Sequence, residues 1–224
     1  MKILCISDQI DPLIYSNSIK DRFSDVDLVL SAGDLPLDYL EFIVTSLNKP
    51  LLFVFGNHNL KELPLFRPTF EDRLRIYSAH EEQEAFSSGA VHIGSKIYRD
   101  GNLIIMGLGG SLRYNNGQNQ FTNCQINFEI IKLLPRLFLN KLIHGRYLDI
   151  LLTHAPPLGI HDKEDLCHRG FKAFLWFMRF FKPRYLIHGH IHLYDLQDVR
   201  TSVYHQTQII NAYSHYIIDT GVKS

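Results

Sequence analysis

Leu51-Leu52-Phe53-Val54-Phe55-Gly56-Asn57-His58 sets five consecutive apolar residues directly before a glycine, an amide and an imidazole. An unbroken apolar run of that length, with no polar alternation, reads as a strand covered on both faces, as in a parallel sheet. Four other stretches repeat the arrangement. Ile3-Leu4-Cys5-Ile6 leads to Asp8, Leu28-Val29-Leu30 to Gly33-Asp34, Ile150-Leu151-Leu152 to His154, and Tyr185-Leu186-Ile187 to Gly189-His190-Ile191-His192. Five strand exits gathered at one end of a sheet would bring carboxylate, amide and imidazole groups together, the set a two-metal site needs.

Working outward, the first hundred residues alternate apolar runs with amphipathic segments, the pattern of βαβ units and a mostly parallel sheet. A short helix is expected within Ser16 to Phe23, and a longer one from Leu37 to Leu47, stopped at Asn48-Lys49-Pro50. Pro64 and Pro68 predict loop after His58, and the charged stretch Glu81 to Glu84 reads as a solvated face. Strands are expected at Val91 to Ile93, Lys96 to Arg99 and Leu103 to Met106, with Asp100-Gly101 as a hairpin turn. Gly107 to Ser111 marks a tight backbone passage. Asn123 to Leu139 predicts a helix interrupted at Pro135, Phe171 to Phe181 one ended by Pro183, and Tyr194 to Asp219 antiparallel strands closing a second sheet.

The chain has 224 residues, expected to form one domain over 1–224, and its 23 basic and 23 acidic residues cancel. That balance gives no long-range attraction for nucleic acid or anionic membrane, although a local basic patch stays open. Cys5, Cys124 and Cys167 are widely spaced, which argues against a disulfide framework and for a reducing compartment. With no signal-like start and no apolar stretch of membrane-spanning length, a cytoplasmic protein without a membrane partner is expected. His80, His92, His144, His205 and His215 have no motif around them and read as structural.

In order and content the five clusters resemble the calcineurin-like metallophosphoesterase superfamily, over Asp8 to His192. The fold this resemblance implies is α/β, a sandwich of two facing mixed β-sheets flanked by helices, with the metals at the carboxyl ends of the strands. It implies two divalent ions, Mn, Fe or Zn. Asp34 would bridge them, Asp8 and His192 would hold the first, and Asn57, His154 and His190 the second. A hydroxide bridging the ions would attack a small-molecule phosphate ester, monoester or diester, while His58 donates to the leaving oxygen. Arg113, in a stretch similar to bacterial members, is a candidate phosphate contact or a surface arginine beside a turn.

Two positions depart from the family pattern. Ile10 stands where the family has a histidine, and Asp11 or a water is expected to fill the place; Asp11 also reads as a turn residue before Pro12. Asn59 stands where the family has an acid, so it can orient His58 without raising its basicity. His161 and His168 flank Asp162 and Asp165 near His154, where substrate contact competes with loop polarity and capping. An inactive scaffold of the same fold is the alternative that Ile10 and Asn59 favour. A nuclease subunit is another, but no basic groove supports it.

Overall fold

The computed structural model describes residues 1–66, 89–195 and 197–221. In the first half, β1 (Lys2–Ser7), β2 (Leu28–Ser31), β3 (Leu51–Phe53) and β4 (Ala90–His92) run parallel, in register through Cys5 to Leu30 to Leu52 to Val91. Helices α1 (Ile19–Phe23) and α2 (Leu37–Leu47) connect the first three of these strands. Asn48, in the left-handed conformation, caps α2 at the predicted stop. One expectation fails here: Leu63–Phe66 forms a short helix, α3, with Pro64 in its first turn, where proline costs no hydrogen bond. Pro68 and Glu81 to Glu84 lie outside the described residues.

The second sheet holds β5 (Lys96–Asp100), β6 (Leu103–Leu108), β9 (Ile150–Thr153), β10 (Tyr185–His188), β11 (Thr201–Tyr204) and β12 (Thr207–Asn211), in the order β11-β12-β10-β9-β6-β5. Gly101, at φ 54°, turns the expected β5–β6 hairpin. A short parallel pair, β7 (Ser111–Leu112) and β8 (Gln120–Phe121), precedes α4 (Asn123–His144). That helix is not interrupted at Pro135. The proline sits on its exposed side, where water can take the released carbonyl. Helix α5 (Lys172–Phe181) ends at left-handed Lys182, before Pro183.

The tail also departs from expectation. It does not close one sheet: β11 and β12 join the second, while β13 (Ser214–Asp219) crosses to the first and pairs antiparallel with β1. Side chains alternate accordingly. Ile3, Cys5, Leu30 and Leu52 meet Ile105, Leu152, Ile187 and Ile210 between the sheets. Leu4, Ile6 and Phe53 face Tyr39, Leu40 and Ile43 on one outer side, and Met106, Leu151 and Leu186 face Ile130, Phe174 and Phe177 on the other. Two facing mixed sheets flanked by helices result, with both faces of each sheet covered. Phe177 is fully buried. Phe177→Ala is expected to lower unfolding free energy by about 3–5 kcal/mol in urea titration, from lost burial plus the cavity left behind.

Candidate metal centre

At three of the five strand exits the backbone turns through the left-handed region without a glycine at the turning residue. Asp8 has φ 63°, Asp34 φ 59° and His190 φ 67°. Each such conformation costs of order 1–3 kcal/mol, and such residues cluster where function needs them. Glycines next to the exits let the chains close in. A Cβ on Gly56 would lie 2.0 Å from Asp34 Oδ1, and one on Gly189 2.4 Å from Asp8 Oδ2.

His154 comes across from the second sheet. Its Nδ1 lies 2.8 Å from the Ala32 carbonyl, which can only accept, so Nδ1 carries the hydrogen. In the neutral ring Nε2 is therefore bare, yet it faces Asn57 Oδ1 at 3.1 Å and Asp34 Oδ2 at 3.3 Å. Three lone-pair atoms converging in a buried place require positive charge among them, either a proton on the ring or a cation. Burial alone lowers the His154 pKa, but the Asp34 charge and hydrogen bond overcome it and hold the ring up at about 9. Burial likewise pushes Asp34 upward; the His154 charge and the His58 N–H reverse this and hold it at about 2.

His190 supplies a neutral imidazole to the same point. Its Nε2–H donates to the Cys167 carbonyl at 2.7 Å, which leaves Nδ1 bare. Burial, then repulsion from His154, lowers its pKa to about 3. Ligand atoms of Asp34, His154 and His190 all lie within 4.8 Å of one another. Beside them, Asp8 accepts the His190 backbone N–H on both oxygens and the Ser7 hydroxyl on Oδ2. Burial raises the Asp8 pKa, so the two carboxylates are pushed in opposite directions. His192 Nε2 stands 3.9 Å from Asp8 Oδ1, its Nδ1 held by the Tyr194 hydroxyl. The donor set of carboxylates, an amide oxygen and bare imidazole nitrogens fits divalent transition ions.

A model of the calcineurin-like phosphoesterase family matches residues 1–194. The chain belongs to this family. It is a metallophosphoesterase, a metal-dependent phosphoric ester hydrolase. Among solved structures, the TT1561 protein of Thermus thermophilus is similar at a TM-score of 0.60 and 11% identity, covering 95% of this chain and 89% of that one. Another is similar at a TM-score of 0.64 and 13% identity, covering 98% and 95%. These likenesses show the shared fold. No curated protein sequence matches.

The remaining residues singled out in this metallophosphoesterase fall in different places. His58 is exposed, and its backbone N–H donates to Asp34 Oδ1 at 2.7 Å. Asn59 does not orient the His58 ring; its amide donates to the Asp34 carbonyl at 2.9 Å. Ile10 is exposed. The Asp11 carboxylate is committed elsewhere: Oδ1 accepts from Leu13 N–H, and Oδ2 from the Ser214 hydroxyl and His215 Nδ1. Arg113 is exposed, and its Nη2 donates to the Gln120 carbonyl and to Gln125 Oε1 at 3.2 Å, beside the capping box of α4. His168 donates to Asp165 and packs 5.6 Å from the His190 ring.

Sequence reasoning missed two supports. The Tyr114 hydroxyl accepts from the Asn57 amide at 3.3 Å, turning Oδ1 toward His154. His188 is fully buried and donates from Nδ1 to the Gly189 carbonyl. Its bare Nε2 accepts from His161 Nδ1 at 2.9 Å, and His161 Nε2 accepts from the Ser202 hydroxyl at 2.8 Å. Burial lowers His161 to about 4 and His188 to about 3, so both rings stay neutral. The chain of bonds fixes the backbone immediately before His190. The signal for His188 lay in strand alternation, since it falls on the same side as Leu186, toward the helices.

Gly56→Ala is expected to weaken metal binding roughly 10–100-fold in titration calorimetry with an unchanged far-ultraviolet spectrum, because its methyl displaces the Asp34 carboxylate. Asp11→Ala is expected to leave metal stoichiometry unchanged by elemental analysis while lowering stability by about 1–3 kcal/mol. Burial raises the Asp11 pKa, but its three hydrogen bonds outweigh this and hold it below the usual range. The stability difference is therefore full above an unfolded carboxylate pKa of about 3.9 and disappears as pH falls through the lower folded value.

Proposed function

We propose that this metallophosphoesterase hydrolyses a phosphate ester of a small molecule at a centre of two divalent cations, Mn, Fe or Zn. The observation that carries the reading is the convergence of Asp34 Oδ2, Asn57 Oδ1 and His154 Nε2, with Asp34, His154 and His190 offering ligand atoms within 4.8 Å. Such a group is stable only around positive charge. Asp34 would be shared between the ions, with Asp8 and His192 on one side and Asn57, His154 and His190 on the other. Bound there, the ions supply Lewis acidity toward a phosphoryl oxygen and toward water.

The chain's own residues do the rest. Ala32 and Cys167 carbonyls hold the His154 and His190 tautomers, so each ring, when neutral, presents its bare nitrogen to the site. His58, exposed beside Asp34, would donate to the leaving oxygen. Asp11 is left out because Leu13, Ser214 and His215 hold its carboxylate, and Arg113 because its Nη2 is engaged by Gln120 and Gln125. A water is the remaining candidate for the place of the family histidine missing at Ile10. The zero formal net charge supports a small substrate over a polyanion. A scaffold has no need to gather these groups around one buried point.

Asp34→Asn and His190→Ala are each expected to cut metal-dependent turnover of bis-p-nitrophenyl phosphate by at least about 100-fold, while the thermal unfolding transition stays cooperative. Stripping metal with a chelator should abolish turnover, and adding manganese or zinc should restore it. Near-normal rates in either variant would overturn the assignment.

A further inference from the structure

Helix α4 carries two apolar stripes. Ile126, Ile130 and Leu137 are buried against the second sheet. Phe128, Ile131, Phe138 and Leu142, at spacings of three, seven and four, point outward; Leu142 is 83% exposed and Phe128 58%. Trp176 and Phe180 of α5 continue the same face. Phe138 and Phe180 have ring centroids 6.5 Å apart, and the Trp176 indole N–H donates to Asn127 of α4 at 2.8 Å. At roughly 150–250 Å² for a large apolar side chain, these residues leave roughly 600 Å² of apolar surface in water, the upper end for a monomer. Two helices side by side make this surface broad, and α4 alone is about 33 Å long.

Charge decides what covers it. Lys132 and Arg136 on α4 and Lys172 and Arg179 on α5 are exposed. The two helices hold one acid, Glu129, and it is paired with Lys132 at 2.7 Å. A second copy related by a twofold axis would bring two net-positive patches together. An anionic bilayer offers apolar depth for the aromatic and leucine side chains and phosphates for the cations around them, the pattern of helices that lie in a membrane interface. Among the described residues no helix is long and apolar enough to cross a membrane, so the contact is with the surface. The balanced whole-chain charge, which predicts no membrane partner, hides this local asymmetry.

We propose that the α4–α5 face lays the protein on an anionic lipid surface. The test is sedimentation of the full chain with vesicles of phosphatidylglycerol and phosphatidylcholine, and with phosphatidylcholine alone. The expected result is at least tenfold more binding to the anionic vesicles, weakened by salt. Phe128→Glu with Leu142→Glu, and separately Arg136→Glu with Arg179→Glu, should each reduce binding at least tenfold, with far-ultraviolet spectrum and bis-p-nitrophenyl phosphate turnover unchanged. Equal binding to both vesicle types, no binding, or binding indifferent to both variants would overturn the proposal. So would a wild-type dimer in sedimentation velocity that the Phe128/Leu142 variant splits and that ignores vesicles, which would assign the face to a second copy.

Discussion

The site is organised by a single hydrogen bond between the sheets, from His154 Nδ1 to the Ala32 carbonyl just past the end of β2. It fixes which ring nitrogen is bare, and therefore where the uncompensated lone pair points. The same residue is tied to the second sheet through its backbone, donating to Leu108 and accepting from Gly189. His154 thus joins both halves of the sandwich at the point where Asp34, Asn57 and His190 meet. Buried with an oxygen of Asn57 and one of Asp34 in front of it, the ring cannot satisfy its lone pair from within the protein's neutral groups. The requirement for positive charge at that point, a proton on the ring or a cation, follows from the fold itself.

The rest of the site shows what that arrangement demands of the backbone. Asp8, Asp34 and His190 all sit in left-handed conformations, and Gly56 and Gly189 have neighbours too close for any side chain. Such strain persists only where surrounding structure holds it. Here the holding is visible: Ser7 and the His190 N–H on Asp8, the His58 N–H on Asp34, and the Ser202–His161–His188 chain before His190.

The inner architecture was legible because parallel strands covered on both faces read as continuous apolar runs, and the chemistry-bearing residues stand directly after them. What stayed hidden depends on distant partners or on direction. Asp11 lies one residue past the departed histidine position, but its carboxylate is claimed by Ser214 and by His215, 204 residues away. Arg113 is turned aside by Gln120 and Gln125. Pro135 is tolerated within α4 where water can take its freed carbonyl, and exposure is not written in the residue. In α4 the helical period is plain, yet nothing local distinguishes the stripe on Ile130 from the stripe on Phe138.

The crossing of β13 to the first sheet bears on how the protein is made. β1 leaves the ribosome early, but its outer edge pairs with β13, whose His215 also clamps Asp11. Throughout elongation that edge has no permanent neighbour, and a bare strand edge invites pairing with other nascent chains. The loop that carries Asp8 therefore gains its final support late, after translation has passed all the other candidate ligands.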